Sequence, residues 1–233
     1  MIDSFLITCE HGGNRIPAPY QRLFRGRRAL LNSHRGYDPG ALVMARALAR
    51  DLRAPLVTST VSRLVIDLNR SIGHPQLFSA ATRGVPAAVR EEIVAQYYRP
   101  YRAQAEYSVK QAVSRGLRVI HISSHSFTPA LDGKVRNTDV GLLYHPSRHG
   151  EVELCARWKA SLAAIAPELR VRRNYPYAGK GDGLTSHLRL RFPGSSYVGI
   201  ELEVNQNIVL AAGARWTALR RVLIDSFRRA CSA

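Results

Sequence analysis

The chain has 233 residues, 45% of them hydrophobic and 22% charged, an ordinary globular composition that excludes a disordered tail protein. No apolar run reaches the roughly eighteen residues of a membrane span, and Met1–Cys9 has no basic stretch ahead of its apolar residues, so a soluble, cytoplasmic protein without a signal peptide is expected. Charge is the unusual quantity: 34 Lys+Arg against 17 Asp+Glu gives +17, enough to raise nucleic acid or an anionic surface as a partner.

In chain order, the apolar run Ser4–Cys9 reads as a strand ending at Glu10-His11-Gly12-Gly13, and Ala41–Arg53 spaces Leu42, Met44, Ala45 and Leu48 as a helix. Leu56–Val61 and Arg63–Leu68, rich in branched residues, predict two strands joined by a tight turn. Pro86–Arg115 predicts a long helix that Pro100 kinks or splits, its apolar positions including Val89, Ile93, Tyr97, Tyr101 and Val109. Strands are predicted at Leu117–Ser123 and Val140–Tyr144, a helix at Glu151–Ile165, a short strand at Leu169–Arg173 and a last strand at Tyr197–Val204. Ala211–Cys231 is an amphipathic helix with Trp216, Leu219, Leu223, Ile224 and Phe227 opposite its arginines. Strands alternating with long helices, without repeats or linkers, predict a single α/β sandwich domain over residues 1–233 with a mainly parallel or mixed sheet.

In such sheets functional groups collect beyond the carboxyl ends of the strands. Here those positions hold His11, then Ser124-His125-Ser126, while the last strand carries Glu201-Leu202-Glu203. Two imidazoles and a carboxylate are what a zinc hydrolase needs, since such an ion brings the pKa of a water to about 7 and a carboxylate can serve as base. The block Asp67-Leu68-Asn69-Arg70 sets a guanidinium beside an acid and an amide, so Arg70 can clamp a carboxylate with Asp67 orienting it, and Arg136 supplies a further donor. Ser126 lacks a G-x-S-x-G elbow, and Gly12-Gly13 lacks the lysine of a phosphate loop. Cys9, Cys155 and Cys231 form no C-x-x-C pair, so neither a disulfide framework nor a cysteine zinc site is expected.

Five ordered blocks carry a resemblance: Cys9-Glu10-His11-Gly12-Gly13-Asn14-Arg15-Ile16-Pro17, Tyr37–Ala41, Ser62–Arg70, His125–Pro129 and Gly199–Gln206. Together they resemble the N-formylglutamate amidohydrolase family, itself similar to the zinc carboxypeptidase and aspartoacylase superfamily. The resemblance implies a three-layer α/β/α sandwich around a mixed, mainly parallel sheet, and one zinc ion. It implies His11 and His125 as zinc ligands, Glu201 as general base, and Asn69 and Arg70 as the clamp on a substrate carboxylate. The related enzymes carry Glu where this chain has Asn14, a neutral and poor zinc ligand. The third ligand is therefore Asp38, which would complete a His₂-carboxylate set, or Asn14. Asp38 also reads as the N-cap of the following helix, with Pro39 at its first position. Glu203, two residues from Glu201 on the same strand face, is the alternative base.

The expected activity is zinc-dependent hydrolysis of a small acidic N-acyl amino acid, N-formyl-L-glutamate giving formate and L-glutamate. Glu201 would take the proton of the attacking water and return it to the leaving amine. Arg63 would face the oxyanion, and Arg70, Asn69 and Arg136 would hold the substrate's carboxylates. A related zinc deacylase or carboxypeptidase-like hydrolase is the neighbouring alternative, with the acyl pocket built from Phe78–Pro86 and Tyr175–Thr185. A basic nucleic-acid-binding protein is the distant one. Its motifs are missing, the densest basic cluster (Arg22, Arg25, Arg27, Arg28) reads as a solvated loop, and of the 34 basic residues only Lys110, Lys134, Lys159 and Lys180 are lysine, which suggests an arginine background. The acidic partner expected is thus a dicarboxylate metabolite, and no sign of oligomeric state is legible.

Overall fold

The computed structural model describes residues 3–211 and 213–232. The first half of the chain runs through β1 (Asp3–Cys9), a 3-10 turn (Ala18–Phe24), α1 (Arg28–Leu31), α2 (Ala41–Leu52), β2 (Leu56–Thr58), α3 (Ala80–Arg83), α4 (Ala87–Ile93) and α5 (Arg99–Val113). The second half adds β3 (Arg118–Phe127), β4 (Ala130–Leu131), β5 (Lys134–Val135), β6 (Val140–Leu143), α6 (His149–Ile165), β7 (Val171–Arg173), α7 (Leu184–Arg191), β8 (Tyr197–Asn205), α8 (Gln206–Leu210) and α9 (Gly213–Ser232). Ala212, inside the helix read from Ala211, and Met1 and Ile2 of the opening segment lie outside the described residues.

The main sheet has six strands in the order β2-β1-β3-β8-β6-β7, and β4 pairs with β5 in a separate hairpin. Strands β2, β1, β3 and β8 are mutually parallel, β6 is antiparallel to β8, and β7 is parallel to β6. Parallel neighbours need crossover connections, supplied by α2 between β1 and β2 and by α4 and α5 between β2 and β3. Helices cover both faces, so the expected α/β/α sandwich around a mixed, mainly parallel sheet is what forms. On one face α2, α6 and α9 bury Met44, Leu48, Trp158, Leu162, Leu223 and Phe227 against Ile7, Ile120, Ile122, Ile200 and Leu202. On the other, α5, α7 and the segment after β2 bury Val65, Ile66, Tyr101, Val109, Leu184 and Leu188 against Leu6, Val119 and Tyr197.

The period of two along a strand separates these faces. Ile120 and Ile122 enter the first core, so His121, Ser123 and His125 face the other way. Ile200 and Leu202 do the same on β8, which turns Glu201 and Glu203 to the side of His125. Register aligns them: Thr8, Ser123 and Glu201 share one row across the sheet, and His125 and Glu203 are opposite each other in a second.

Several elements depart from expectation. Arg63–Leu68 is not a strand. It folds as turns (Val65 N–H to Ser62 O, 2.9 Å; Arg70 N–H to Asp67 O, 3.1 Å), and Leu64, Val65, Ile66 and Leu68 are all buried instead of alternately so. The segment is enclosed by the second core, which rewards an apolar residue at every position. The strand read from Leu56 stops at Thr58, with only a bridge from Val61 to Arg15 beyond. The long helix does divide: Val94–Tyr98 is a π-helical turn between α4 and α5, where Arg99 N–H reaches back five residues to Val94 O. Pro100 has no N–H to offer the ordinary ladder, so the preceding turn widens. β3 runs to Phe127, four residues past its expected end, and carries His125 inside the strand. Among the described residues no helix is long and apolar enough to cross a membrane.

Candidate active site

His11 stands on the turn after β1, where the chain passes very close to the loop after β2. Gly12 N–H donates to Ser59 O at 3.0 Å, and a Cβ on Gly12 or Gly13 would lie 2.8 Å from the backbone oxygen of Ser59 or Thr60. Those glycines serve close backbone approach. Asp38 comes from the loop before α2, tied to the same turn by its N–H to His11 O at 2.9 Å. The expected cap is not made: the N-cap of α2 is Gly40, at φ 76°, with no side-chain bond, and Pro39 precedes the helix. The Asp38 carboxylate turns inward instead. Its Oδ2 lies 2.9 Å from His125 Nδ1 and 3.3 Å from His11 Nδ1. One donor atom from each of His11, Asp38 and His125 lies within 4.8 Å of the others, all three residues being buried. Asn14 is not brought to this cluster; its side chain donates to Asn32 Oδ1 at 2.8 Å in an exposed bond.

The far nitrogens of both imidazoles are also engaged. His11 Nε2 lies 2.7 Å from Asp67 Oδ1, and His125 Nε2 lies 3.1 Å from Glu10 Oε2 and 2.9 Å from Ser123 Oγ. Glu10 is itself held by Tyr101 (2.9 Å to Oε1) and Ser123 (2.6 Å to Oε2) and has no exposed surface. A carboxylate behind an imidazole fixes the ring and makes it a stronger ligand. Burial alone would lower the pKa of His125, but hydrogen bonds to Asp38 and Glu10 outweigh it and hold the pKa well above the usual histidine value. Burial likewise pushes Asp38 up, and His11, His125 and Arg63 overcome it, holding the carboxyl well below its usual range. Three carboxylates around two imidazoles thus create a demand for positive charge, and the donor set of two nitrogens and one oxygen suits a borderline divalent ion.

Arg63 and Asp67 pair with each other. Arg63 donates to Asp67 Oδ2 through Nη2 (2.6 Å) and Nε (3.1 Å), and its Nη1 stands 3.5 Å from Asp38 Oδ1. Asp67 was expected to orient Arg70; it orients Arg63 and His11 instead, because the turn geometry points its carboxylate toward the cluster. Arg70 donates to Asp182 O at 3.1 Å, while Tyr98 O–H and Arg102 Nη1 pin the backbone oxygens of Arg70 and Leu68. Asn69 Oδ1 accepts Leu184 N–H at 2.7 Å, which leaves the Nδ2 amide as the donor of that side chain.

His11, Asp38, Arg63, Asn69, Arg70 and His125 line one cleft of about 400 Å³, together with Glu201, Glu203, His34, Tyr177 and Asp182. Glu201 Oε1 accepts Thr185 O–H at 2.6 Å. Glu203 is buried, and its Oε2 has no partner among the described residues. Burial pushes its carboxyl up, to about 8; His125 opposes the push, and Asp38 and Glu201 reinforce it. Arg136 does not line the cleft: its Nη1 donates to the Tyr177 hydroxyl at 3.0 Å and its guanidinium stacks 5.0 Å from that ring. Of the two loops expected to shape the pocket, the second contributes Tyr177, Ala178, Gly181 and Asp182, and Phe78–Pro86 contributes nothing. Ser126 donates to Pro39 O at 2.7 Å on the opposite face of the sheet, a structural bond. Glu10 and Ser123 escaped the sequence reading, although alternation along β1 and β3 places polar groups on the same face as His125.

The profile of the N-formylglutamate amidohydrolase family matches residues 3–210. A solved gene product of Agrobacterium tumefaciens aligns over 98% of this chain and 90% of its own, with a TM-score of 0.85 and 28% identity. The N-formylglutamate amidohydrolase of Ralstonia eutropha JMP134 aligns over 99% of this chain and 94% of its own, with a TM-score of 0.71 at 19% identity, a likeness of fold. No curated protein matches by sequence.

Proposed function

Because the chain belongs to the N-formylglutamate amidohydrolase family, and so is a hydrolase of amides, we propose that it is a zinc-dependent enzyme that cleaves a small N-acyl amino acid bound by its carboxylate. The observation that carries this reading is the convergence of His11, Asp38 and His125 inside a cleft that also holds Arg70. N-Formyl-L-glutamate is the first compound to assay.

A zinc ion held by these three residues would, when bound, acidify a water and polarise the acyl carbonyl. Arg70 and the Asn69 amide take the substrate carboxylate, the guanidinium offering two parallel donors. Arg63, held rigid by Asp67 beside Asp38, faces the negative charge that develops on the carbonyl oxygen as the tetrahedral centre forms. Arg136, at the rim, meets the anion as it approaches.

The sequence gives the proton-transfer role to Glu201 first and Glu203 second; the contacts favour the reverse order. Glu203 lies opposite His125 with its buried Oε2 unpartnered among the described residues, whereas Oε1 of Glu201 is tied to Thr185. In its ionised form Glu203 then takes a proton from water and delivers it to the leaving amine. Glu203→Gln should retain zinc and lose turnover by about 10²–10⁴-fold, read by metal analysis alongside formate release; full activity of that variant would return the role to Glu201. For the third ligand, Asp38→Ala should lose zinc while Asn14→Ala keeps it. The function as a whole is tested by counting zinc per chain and following N-acyl amino acid cleavage before and after chelation. Undiminished cleavage without metal would refute it.

A further inference from the structure

Resting on the reading just given, we propose that Arg102, a buried guanidinium outside the cleft, is a positioning residue for the carboxylate clamp: with Tyr98 it fixes the backbone on either side of Asn69 and Arg70 and sets its own charge behind them. Two arginines are buried among the described residues, Arg102 and Arg189, each 6% exposed. Arg189 is paired with Glu151. Arg102 has no carboxylate partner among the described residues; its Nη1 donates to Leu68 O at 3.1 Å, and its Nε is unpartnered. Glu106, one turn further along α5, is taken up by His187 and Arg191. A charge held out of water without a counter-charge is costly, and such local costs are characteristic of functional sites.

The place of this charge gives it a role. Tyr98 O–H donates to Arg70 O at 2.8 Å, so the peptide unit that enters Asn69 and the one that leaves Arg70 are both anchored to this helix. Fixing the two units fixes the backbone of the clamp, and with it the direction in which both side chains depart. The anchors support each other, since the Arg102 guanidinium stacks 5.3 Å from the centre of the Tyr98 ring. Tyr98 closes the π-helical turn Val94–Tyr98, an irregularity frequent at functional sites, and precedes Arg102 by four residues, which puts both on one helix face. Neither residue lines the cleft. The Arg70 side chain rests on a neutral oxygen, that of Asp182, whose carboxylate is taken by Ser71. The charge of Arg70 is thus left for the substrate, and that of Arg102, shielded from water, reaches the same carboxylate with little screening. An anionic substrate supplies a counter-charge to both.

The test uses the zinc-loaded enzyme with N-formyl-L-glutamate, following formate release and calorimetric binding. Arg102→Met, similar in length but without charge or donor, should raise KM and Kd about tenfold, with kcat falling by less than about threefold and zinc per chain unchanged. Arg102→Lys, which keeps a charge and a donor, should recover most of the loss. Tyr98→Phe should raise KM and Kd in the same direction by a smaller factor; it removes a single hydroxyl and reads the second anchor even if Arg102→Met does not fold. KM and Kd unchanged in Tyr98→Phe, or in folded Arg102→Met, overturn the inference. So does a fall in kcat with KM unchanged, or a lysine variant no better than the methionine one. If the compound binds and is not cleaved, the hydrolase reading falls while the ratio of Kd values still decides the role of Arg102. If the unaltered enzyme does not bind it, both fall.

Discussion

Replacing His125 with alanine is expected to empty the metal site and lower the hydrolytic rate by at least about 10³-fold, the equivalent of roughly 4 kcal/mol of transition-state stabilisation. The effect is large because His125 sits at a junction. Its Nδ1 faces Asp38 Oδ2 at 2.9 Å and its Nε2 faces Glu10 and Ser123, so the substitution removes one ligand and leaves two buried carboxylates facing each other. His11→Ala should behave in the same way, since its imidazole bridges Asp38 and Asp67. Glu10→Gln gives the graded comparison: the ligand stays but loses the carboxylate behind it, so zinc should bind about 10–100-fold more weakly. Competition with a chromophoric chelator measures all three, and circular dichroism checks that the variants are folded. Folded His125→Ala that retains stoichiometric zinc would show that the ion is held elsewhere.

Glu151→Ala should be the most destabilising single change remote from the cleft, by about 3–5 kcal/mol out of a typical total of about 5–15. Glu151 and Arg189 are both buried, and they bond at 2.9 Å. The glutamate also accepts the N–H groups of Gly199 (3.1 Å) and His145 (2.7 Å), while the arginine donates to Gly179 O (2.7 Å) and Gly199 O (2.9 Å). One ion pair therefore ties the start of α6 to β8, α7 and the loop that carries Tyr177 and Asp182 into the cleft. Truncating the acid leaves a guanidinium buried without a counter-charge, which costs far more than the pair contributes while intact. In a chain of this size the loss corresponds to a fall in Tm of about 6–20 °C. A shift of only one or two degrees would mean that water reaches Arg189 and replaces the carboxylate.

The sandwich, its strands and the split at Pro100 were legible because each rests on a local pattern. Alternation buries Ile120 and Ile122, helical spacing gathers Met44, Ala45 and Leu48, and a proline lacks its N–H wherever it falls. The same pattern misled at Arg63–Leu68, since a run of branched residues is rewarded equally by a strand and by a turn enclosed on all sides. For the candidate site, the sequence by itself supplied the chemical types: two histidines, the Asp67–Arg70 string and the carboxyl pair of β8. It could not say that Asp67 serves His11 and Arg63 and leaves Arg70 alone, that Asp38 turns into the cluster instead of capping α2, or that Glu10 stands behind His125. Those partners are separated by 56 residues for His11 and Asp67, 87 for His125 and Asp38, and 113 for Glu10 and Ser123. Only the order β1-β3-β8 and the close approach of two glycine-bearing turns bring them within hydrogen-bond reach, and that geometry belongs to the packed sheet, not to any segment of the chain.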